Sequence, residues 1–276
     1  MKKHTFNDIT GITNDITVLD LGAKCYSDAH QNYQCLTKKT VYGIDYFGKE
    51  APDEKHAHFD CIFNVVIGDG SPKKLYITEV ESCSSLFKPN KKLLENFQTL
   101  SEWMEVKDTI VVDTVKLNDI DLPRKPDFIK SDIQASDIYA IKHGSRYFDN
   151  ALVIEIEVEF LQQYKNQPLF SEIEMILREK GYIFHTFTGY GSRFFTPTKN
   201  ENDPYDTLNQ WMWSHAIFIK DCITKELSED EYLKIAQIAH DVYDSYDLAL
   251  HCLVKSKRNI DNYHSFIKEF MLNETN

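Results

Sequence analysis

Short runs of apolar and β-branched residues alternate along the chain with helical or loop segments. Such alternation predicts βα units around a largely parallel sheet, because parallel neighbours need a crossover connection between them. The runs that read as strands lie at residues 16–21, 40–44, 61–67, 109–112, 128–130, 152–158, 182–187 and 216–219. Together they supply enough strands for one sheet.

A cluster of turn residues, Gly-Asp-Gly-Ser-Pro at 68–72, interrupts this alternation. The apolar segment 74–78 follows the turn, and we expect it to return antiparallel to 61–67 as a local hairpin. The sheet is therefore predicted to be mixed.

Two helices carry clear start and stop signals. Pro168 suits a first helical position, apolar residues recur on one face of the next turns, and Gly181 is placed to end the helix. Ser228 and Glu231 form a capping-box pattern before an apolar helical stretch that runs to about Lys255. These patterns predict a docked surface helix and a helical C-terminal region.

No Pro/Gly/Ser-rich linker divides the chain into domains. Its 276 residues, 42% of them hydrophobic, are enough to bury one large α/β core. We interpret residues 1–224 as an α/β domain and residues 225–276 as a helical extension of the same domain.

The charge and hydropathy of the chain exclude several kinds of partner. A net charge of -12 repels a phosphate backbone, so we expect no nucleic-acid partner. No apolar run approaches the ~20 residues that span a bilayer, and the first residues lack the apolar segment of a signal peptide. We expect a cytoplasmic protein without a membrane span, and the sequence indicates no particular oligomeric state.

Metal-binding patterns are weak in this sequence. No cysteine pair or Cys/His group has zinc-site spacing. His56 and His58 could share an ion, but their charged neighbours favour a solvated loop. We therefore expect no metal ligands.

Two predicted strands end in an acid, as in nucleotide-binding α/β proteins. Asp20 closes the first strand region and is followed by Gly22 and Ala23, where glycine lets a ligand approach the backbone. About twenty-five residues on, Asp45 precedes Tyr46 and can accept hydrogen bonds from both hydroxyls of a ribose. Either strand end alone is equally consistent with a simple turn, but their spacing favours a joint cofactor site.

The glycine motifs that cradle phosphates are missing. The chain has neither GxxxxGK[ST] nor GxGxxG, so an ATP P-loop is not supported and a dinucleotide fold lacks its fingerprint. An adenosyl cofactor without a pyrophosphate does not require such a cradle.

The segment DFIKSDIQ at 127–134 resembles the D-F-[IL]-K-x-D-[VI]-[QE]-G stretch of FkbM-type methyltransferases, and IKHG at 141–144 follows it as in that family. Further segments agree with the family in order, at 83–90, 115–120, 155–160 and 164–170. The resemblance spans most of the chain.

The resemblance implies a class I methyltransferase fold, which is Rossmann-like, with a mostly parallel mixed sheet, helices on both faces and a helical C-terminal extension. It also implies transfer of a methyl group from S-adenosylmethionine to an oxygen, commonly a hydroxyl of a sugar, glycan or secondary metabolite. Asp20, Gly22, Ala23 and Asp45 match the family's cofactor positions, and Asp132 matches its acid beside the sulfonium.

Asp132 is the candidate catalytic residue. We expect it to orient or deprotonate the acceptor hydroxyl, with Lys130 and Glu155 as electrostatic neighbours. Lys130 could instead extend to solvent. The alternation of Glu155 with Glu157 and Glu159 is typical of the solvent face of a strand, and we expect the last two to be exposed.

The acceptor side is less well marked. Four polar residues are candidates for contact with a small-molecule or glycan acceptor, although loop serines more often serve turns: Ser84, Ser85, Tyr164 and Gln167. The aromatic segment 189–195, with Trp211 and Trp213, could cover the acceptor by stacking on a sugar, and core packing explains it equally well.

Two departures from the family pattern keep other functions open. Tyr26 stands where the family's first loop usually has a further glycine, and Ala135 stands where glycine usually follows. A side chain at 26 could crowd the methionine moiety, which would favour a non-catalytic binding or assembly module with the same fold. An NAD-dependent oxidoreductase or a sugar-nucleotide enzyme is a distant third alternative.

Overall fold

The computed structural model describes residues 4–23, 31–49 and 56–274. The strands are β1 (Ile16–Leu21), β2 (Lys39–Asp45), β3 (Cys61–Asn64), β4 (Val66–Ile67), β5 (Lys73–Thr78), β6 (Val106–Val112), β7 (Thr114–Val115), β8 (Phe128–Ser131), β9 (Val153–Glu159), β10 (Tyr182–Ser192) and β11 (Trp211–Lys220). The helices are α1 (Phe6–Thr10), α2 (Lys91–Leu94), α3 (Leu100–Trp103), α4 (Asp137–Lys142), α5 (Ser145–Phe148), α6 (Phe170–Glu179), α7 (Glu229–Tyr243), α8 (Tyr246–Lys255) and α9 (Asp261–Glu274). A short 3-10 helix at Asn32–Cys35 precedes β2.

Seven strands form the central sheet in the order β10-β11-β9-β8-β1-β2-β3. Neighbours from β3 to β9 pair in parallel, whereas β11 lies antiparallel between β9 and β10. The sheet is thus mostly parallel and mixed, which confirms the predicted Rossmann-like class I methyltransferase fold. The strand order reverses direction at β1, between β2 and β8, and doubly wound sheets bind ligands beyond the carboxyl ends of strands at such a point.

Helices cover both faces of the sheet. Alternate strand residues, such as Leu19 and Ile129, pack against α4, α5 and α6 on one face. The intervening residues, such as Val18 and Phe128, pack against α1, α7, α8 and Tyr263 of α9 on the other. Burial from both sides explains why the central strands read as nearly continuous apolar runs.

The N-terminal segment is hydrogen-bonded to the C-terminal helices. The backbone N–H of Phe6 donates to Asp241 Oδ1 at 2.7 Å, and Phe6 itself is fully buried. His240 Nε2 donates to the carbonyl oxygen of His4 at 2.9 Å. Residues more than 230 positions apart therefore share one layer over the sheet.

The predicted hairpin between 61–67 and 74–78 is wrong. β5 pairs antiparallel with β6 instead, so the predicted strand at 109–112 belongs to a separate two-stranded sheet. The run at 61–67 divides in two because its neighbour β2 ends at Asp45, opposite Asn64, and β4 then pairs with β7.

The two predicted helices are present with adjusted limits. α6 begins two residues after Pro168 and ends before Gly181, whose φ is +90°. The capping box is confirmed, since Ser228 Oγ accepts from the Glu231 N–H at 3.3 Å and Glu231 Oε2 accepts from the Ser228 N–H at 2.9 Å. Asp244, at φ +53°, separates α7 from α8. Across the described ranges, no helix combines the length and apolar character that a bilayer span requires.

Candidate functional site

A cavity of about 720 Å³ lies at the carboxyl edge of the central sheet. Gly22, Asp45 and Asp132 line it from the ends of β1, β2 and β8. Leu75 and Ile77 of β5, together with the segment at 81–86, contribute to the opposite wall. Both its size and its place at the switch in strand order are typical of a ligand site.

Gly22 allows two of these strand ends to approach closely. Its φ is +93°, and its N–H donates to the carbonyl oxygen of Ile44 at 3.0 Å. A Cβ at this position would lie 2.0 Å from the backbone oxygen of Asp132. Only glycine fits this contact without moving one of the loops.

A first row of charged side chains runs across β1, β8 and β9. Asp20 lies in register with Lys130, and Lys130 lies in register with Glu155. Lys130 Nζ is 3.3 Å from Asp20 Oδ1, and the hydroxyl of Tyr33 donates to Asp20 Oδ2 at 2.6 Å. Burial alone would lower the pKa of Lys130, but the surrounding carboxylates of Asp20, Asp132 and Glu155 hold that pKa above its usual value.

Glu155 is held from three sides. Asn32 and Tyr243 donate to its Oε2 at 2.5 and 2.7 Å, and His215 Nδ1 lies 3.3 Å from its Oε1. Burial would raise the pKa of Glu155, but His215 and the two donors hold that pKa below its usual value. Glu155 is therefore a buried carboxylate that fixes its neighbours.

A second row lies two residues farther along the same face of the sheet. Asp132 follows the last residue of β8, while Glu157 on β9 lies in register with His215 on β11. Gln134 Nε2 donates to Asp132 Oδ1 at 3.0 Å and to Glu157 Oε2 at 3.1 Å. Burial and the nearby Asp132 raise the pKa of Glu157 well above its usual value.

The loop after Asp132 is held in an uncommon backbone conformation. Gln134 and Ala135 both have positive φ, at +52° and +67°. Tyr164 donates its hydroxyl to Gln134 Oε1 at 2.8 Å, and Ser85 Oγ donates to the Gln134 carbonyl at 2.6 Å. The left-handed conformation at 135 is one that favours glycine, which gives a physical reason for glycine in the family pattern.

The structure divides the sequence-predicted site residues into two groups. Those that line the cavity are Gly22, Asp45, Tyr46, Ser84, Ser85, Lys130 and Asp132. Those buried behind the lining are Asp20, Ala23, Glu155, Tyr164 and Gln167. Tyr164 and Gln167 are hydrogen-bonded to each other, since the Tyr164 N–H donates to Gln167 Oε1. The individual roles of all these residues stay predictions.

The expected exposure of Glu157 and Glu159 is wrong, and so is the alternative that Lys130 extends to solvent. Glu159 is buried and Glu157 is half-buried, because β9 lies between β8 and β11 rather than at an edge of the sheet. Lys130 does not extend to solvent, because its ammonium group is paired with the buried Asp20. The alternating carboxyl groups of this segment are therefore buried or half-buried and do not form a solvent face.

The remaining candidates lie elsewhere. None of the described residues that line the cavity comes from 189–195, and Trp213 instead packs on the buried guanidinium of Arg193, 5.1 Å from ring centroid to Cζ. The expected solvated loop is wrong for His56, which is buried with its ring against Phe47, while the ring of the half-buried His58 packs against Phe59. Tyr26 lies outside the described residues, so the predicted crowding of the cofactor stays a prediction.

His215 and Gln134 are the functional candidates that the sequence did not reveal as such. His215 is one of few polar residues in the apolar run of β11, which was one available signal. Gln134 ends the family-like segment 127–134, and its side chain joins Asp132, Glu157 and Tyr164.

Asp137 is a buried acid beside the second row. It accepts a hydrogen bond from Ser131 Oγ, and burial raises its pKa to about 6. The folded protein therefore holds this proton more tightly than the unfolded chain, whose carboxyl has an ordinary pKa near 3.8. Its contribution to stability is complete below pH 4 and is lost as the pH rises through 6.

Asp137→Asn is expected to match the wild type near pH 4 and to exceed its free energy of unfolding by roughly 3 kcal/mol at pH 8. Asparagine keeps an oxygen for Ser131 but has no proton to lose. Urea unfolding from pH 4 to 8 measures the difference, and Asp121→Asn, at an 87% exposed side chain, is the control. A constant difference between Asp137→Asn and wild type at every pH would contradict the assignment.

Comparison with known proteins adds a family match. The model of the methyltransferase FkbM domain matches residues 17–184. No curated protein sequence matches the chain significantly. The matched region contains β1 to β9, whose ends carry most of the cavity lining.

Several solved structures are similar to this chain. A magnesium protoporphyrin IX methyltransferase from Synechocystis PCC 6803, with bound S-adenosylmethionine, has 14% identity over 75% of this chain and 71% of that chain, with a TM-score of 0.35. A putative methyltransferase from Thermoplasma acidophilum has 13% identity over 76% and 70%, with a TM-score of 0.33. A precorrin-6y C5,15-methyltransferase from Geobacter metallireducens has 10% identity over 76% and 83%, also with a TM-score of 0.33.

Proposed function

Because the chain belongs to the FkbM methyltransferase domain family, we propose that it is an S-adenosylmethionine-dependent O-methyltransferase that acts on a hydroxyl of a sugar, glycan or secondary metabolite. The observation that carries the proposal is the cavity at the carboxyl ends of β1, β2 and β8, with Asp132 in its lining. A cofactor and an acceptor hydroxyl can share this cavity.

The residues on the β1 and β2 side of the cavity fit an adenosyl cofactor. Asp45 presents a half-buried carboxylate at the end of β2, which suits the two hydroxyls of a ribose. Gly22 offers backbone without a side chain, and Ile44, Phe47 and Val65 supply apolar surface for a base. When bound, S-adenosylmethionine supplies a methyl group on a positively charged sulfur, and the carboxylate of Asp132 in the lining suits that charge.

Asp132 is the group we assign to the acceptor oxygen. Burial would raise the pKa of Asp132, but Lys130 and His215 hold that pKa below its usual value, so the side chain is a carboxylate at neutral pH. It would orient the acceptor hydroxyl and take its proton as the new O–C bond forms. Lys130 and Glu155 would act through Asp132, by fixing its charge and its surroundings.

Asp45→Ala is expected to weaken the binding of S-adenosylhomocysteine at least tenfold. The wild type should bind in the micromolar range, about -8 kcal/mol, and hydrogen bonds to a charged group contribute about 1.5 to 3 kcal/mol each. Isothermal titration calorimetry on the purified chain measures both affinities.

The matched control is Asp206→Ala. Asp206 also accepts the N–H of the next residue, at 2.8 Å, as Asp45 does at 2.5 Å. It is half-buried like Asp45 but does not line the cavity. Equal affinities for Asp45→Ala and wild type would refute the assigned ribose contact. Absence of binding to the wild type would instead favour the non-catalytic module, with Tyr26 as the first residue to replace.

A further inference from the structure

We propose that Asp132, Glu157 and His215 form a binding site for one divalent cation of the Mg²⁺ or Mn²⁺ class. One carboxylate oxygen from each acid and one ring nitrogen all lie within 4.8 Å of one another. Ligands that share an ion at about 2.0 to 2.3 Å are separated by roughly 3 to 4.5 Å, so small side-chain movements would complete the site.

The sheet itself fixes these three groups. Glu157 and His215 are register partners on β9 and β11, and Asp132 directly follows Ser131, the partner of Ile156 on β9. The three side chains therefore stand in one row across adjacent strands. Main-chain pairing of this kind sets ligand positions more rigidly than a surface loop does.

The surroundings of His215 give a second, independent indication. Its Nδ1 is inaccessible to solvent and has no hydrogen-bond partner among the described residues, although Glu155 Oε1 lies only 3.3 Å away in a poorly aligned contact. A small turn of the ring would direct an Nδ1–H to Glu155 and leave Nε2 for an ion. Metal-ligating histidines commonly have this carboxylate contact on their second nitrogen.

Gln134 positions the carboxyl groups of Asp132 and Glu157 by hydrogen-bonding to one oxygen of each. Its single Nε2 binds one oxygen of Asp132 and one of Glu157, while Tyr164 fixes the other side of the amide. The second oxygen of each carboxyl group can then turn toward a shared ion. Gln134 is thus a positioning residue for the proposed site.

The local charge also favours a cation. Five buried or half-buried carboxyl groups lie near one another here: Asp20, Asp132, Glu155, Glu157 and Glu159. Within the described part of the chain, the lysine among them is Lys130. Buried carboxylates need a compensating proton or cation. A divalent ion in the second row would balance two of them.

The ligand set selects the class of ion. The two carboxylate oxygens suit Mg²⁺ or Mn²⁺, the imidazole nitrogen favours Mn²⁺ of the two, and the set contains no thiolate for a softer ion. Three protein ligands leave further positions of an octahedral ion for water or substrate oxygen. Asp132 and His215 line the cavity, so those positions would open toward it. A role for the ion in holding the acceptor hydroxyl rests on the proposed methyltransferase function, whereas binding of the ion does not.

Direct Mn²⁺ binding tests the proposal. The chelator-treated 276-residue chain, without cofactor or acceptor, is titrated with Mn²⁺ while electron paramagnetic resonance measures the free ion. We expect one Mn²⁺ per chain, displacement by Mg²⁺, and at least tenfold weaker binding in Glu157→Gln and in His215→Ala. The control is His185→Ala, because His185 is also half-buried but bonds to Ser245 away from the cavity.

Circular dichroism verifies folding, and Glu157→Gln, which keeps the shape of the side chain, decides the result if His215→Ala does not fold. The proposal is overturned if wild type shows no saturable Mn²⁺ binding, if Mg²⁺ does not compete, or if Glu157→Gln binds as tightly as wild type. Because no cofactor is present, this outcome is independent of the titration with S-adenosylhomocysteine.

Discussion

Gly22→Ala is expected to lower the free energy of unfolding by about 3 kcal/mol or more. A left-handed conformation costs a residue other than glycine about 1 to 2 kcal/mol, and overpacking typically costs a further 1 to 3 kcal/mol. Here the added Cβ would lie 2.0 Å from the backbone oxygen of Asp132. Because this clash is with a main-chain atom, no side-chain movement can relieve it. Urea unfolding followed by circular dichroism measures the loss.

Gly11→Ala separates the two causes of that loss. Gly11 has a φ of +70°, but no heavy atom lies within 4 Å of the position that its Cβ would take. This variant should lose only the conformational part, about 1 to 2 kcal/mol. If both variants lost the same amount, the close approach of the β1 and β8 loops would not be a constraint on position 22.

Lys130→Met is the second large effect, with an expected loss of about 3 to 5 kcal/mol at pH 7. Methionine keeps much of the apolar stem, but Asp20 and Glu155 then remain buried without their cation. The pKa of Lys130 is raised by folding, so the stabilisation is complete below the ordinary lysine value near 10 and is lost only above it. The stabilisation that Lys130 provides is therefore fully present from pH 6 to 8, and Lys130→Met should lose all of it throughout this range.

Two further variants make this result specific. Lys91→Met, at a lysine that is 82% exposed in an ion pair with Glu95, should change the free energy of unfolding by less than about 1 kcal/mol. Adding Asp20→Asn to Lys130→Met should restore part of the stability, because one uncompensated carboxylate is removed. A Lys130→Met loss no larger than that of Lys91→Met would show that the first row does not depend on its lysine.

Local sequence was sufficient for the central strands and for the edge where the cavity lies. Strand ends at Gly22, Asp45 and Asp132 are marked by apolar runs followed by polar or small residues, and parallel strands bring such ends to one edge. The pairing of β5 with β6 was not predictable in this way, because a turn cluster shows that the chain reverses but not which strand it will meet.

The charged rows illustrate a second limit. Glu155, Glu157 and Glu159 alternate along β9 just as they would on a solvated strand, since period-two alternation distinguishes two faces without showing which one is covered. Coverage depends on Asn32, on Tyr243 of α7, and on the placement of β9 inside the sheet, all of which are non-local. The proposed partnership of Glu157 with His215, 58 positions apart, depends on the same information.

The hydrogen bond between Phe6 and Asp241 has a consequence for synthesis on the ribosome. Translation releases β1 early, but the helices that cover Ile16 and Val18 emerge more than 200 residues later. Until then that apolar face is open to non-native contacts, and long-range pairing of this kind slows folding. Nascent chains should therefore depend on chaperones until α7 and α8 have emerged, and a late stop codon should be as damaging as a substitution in the core.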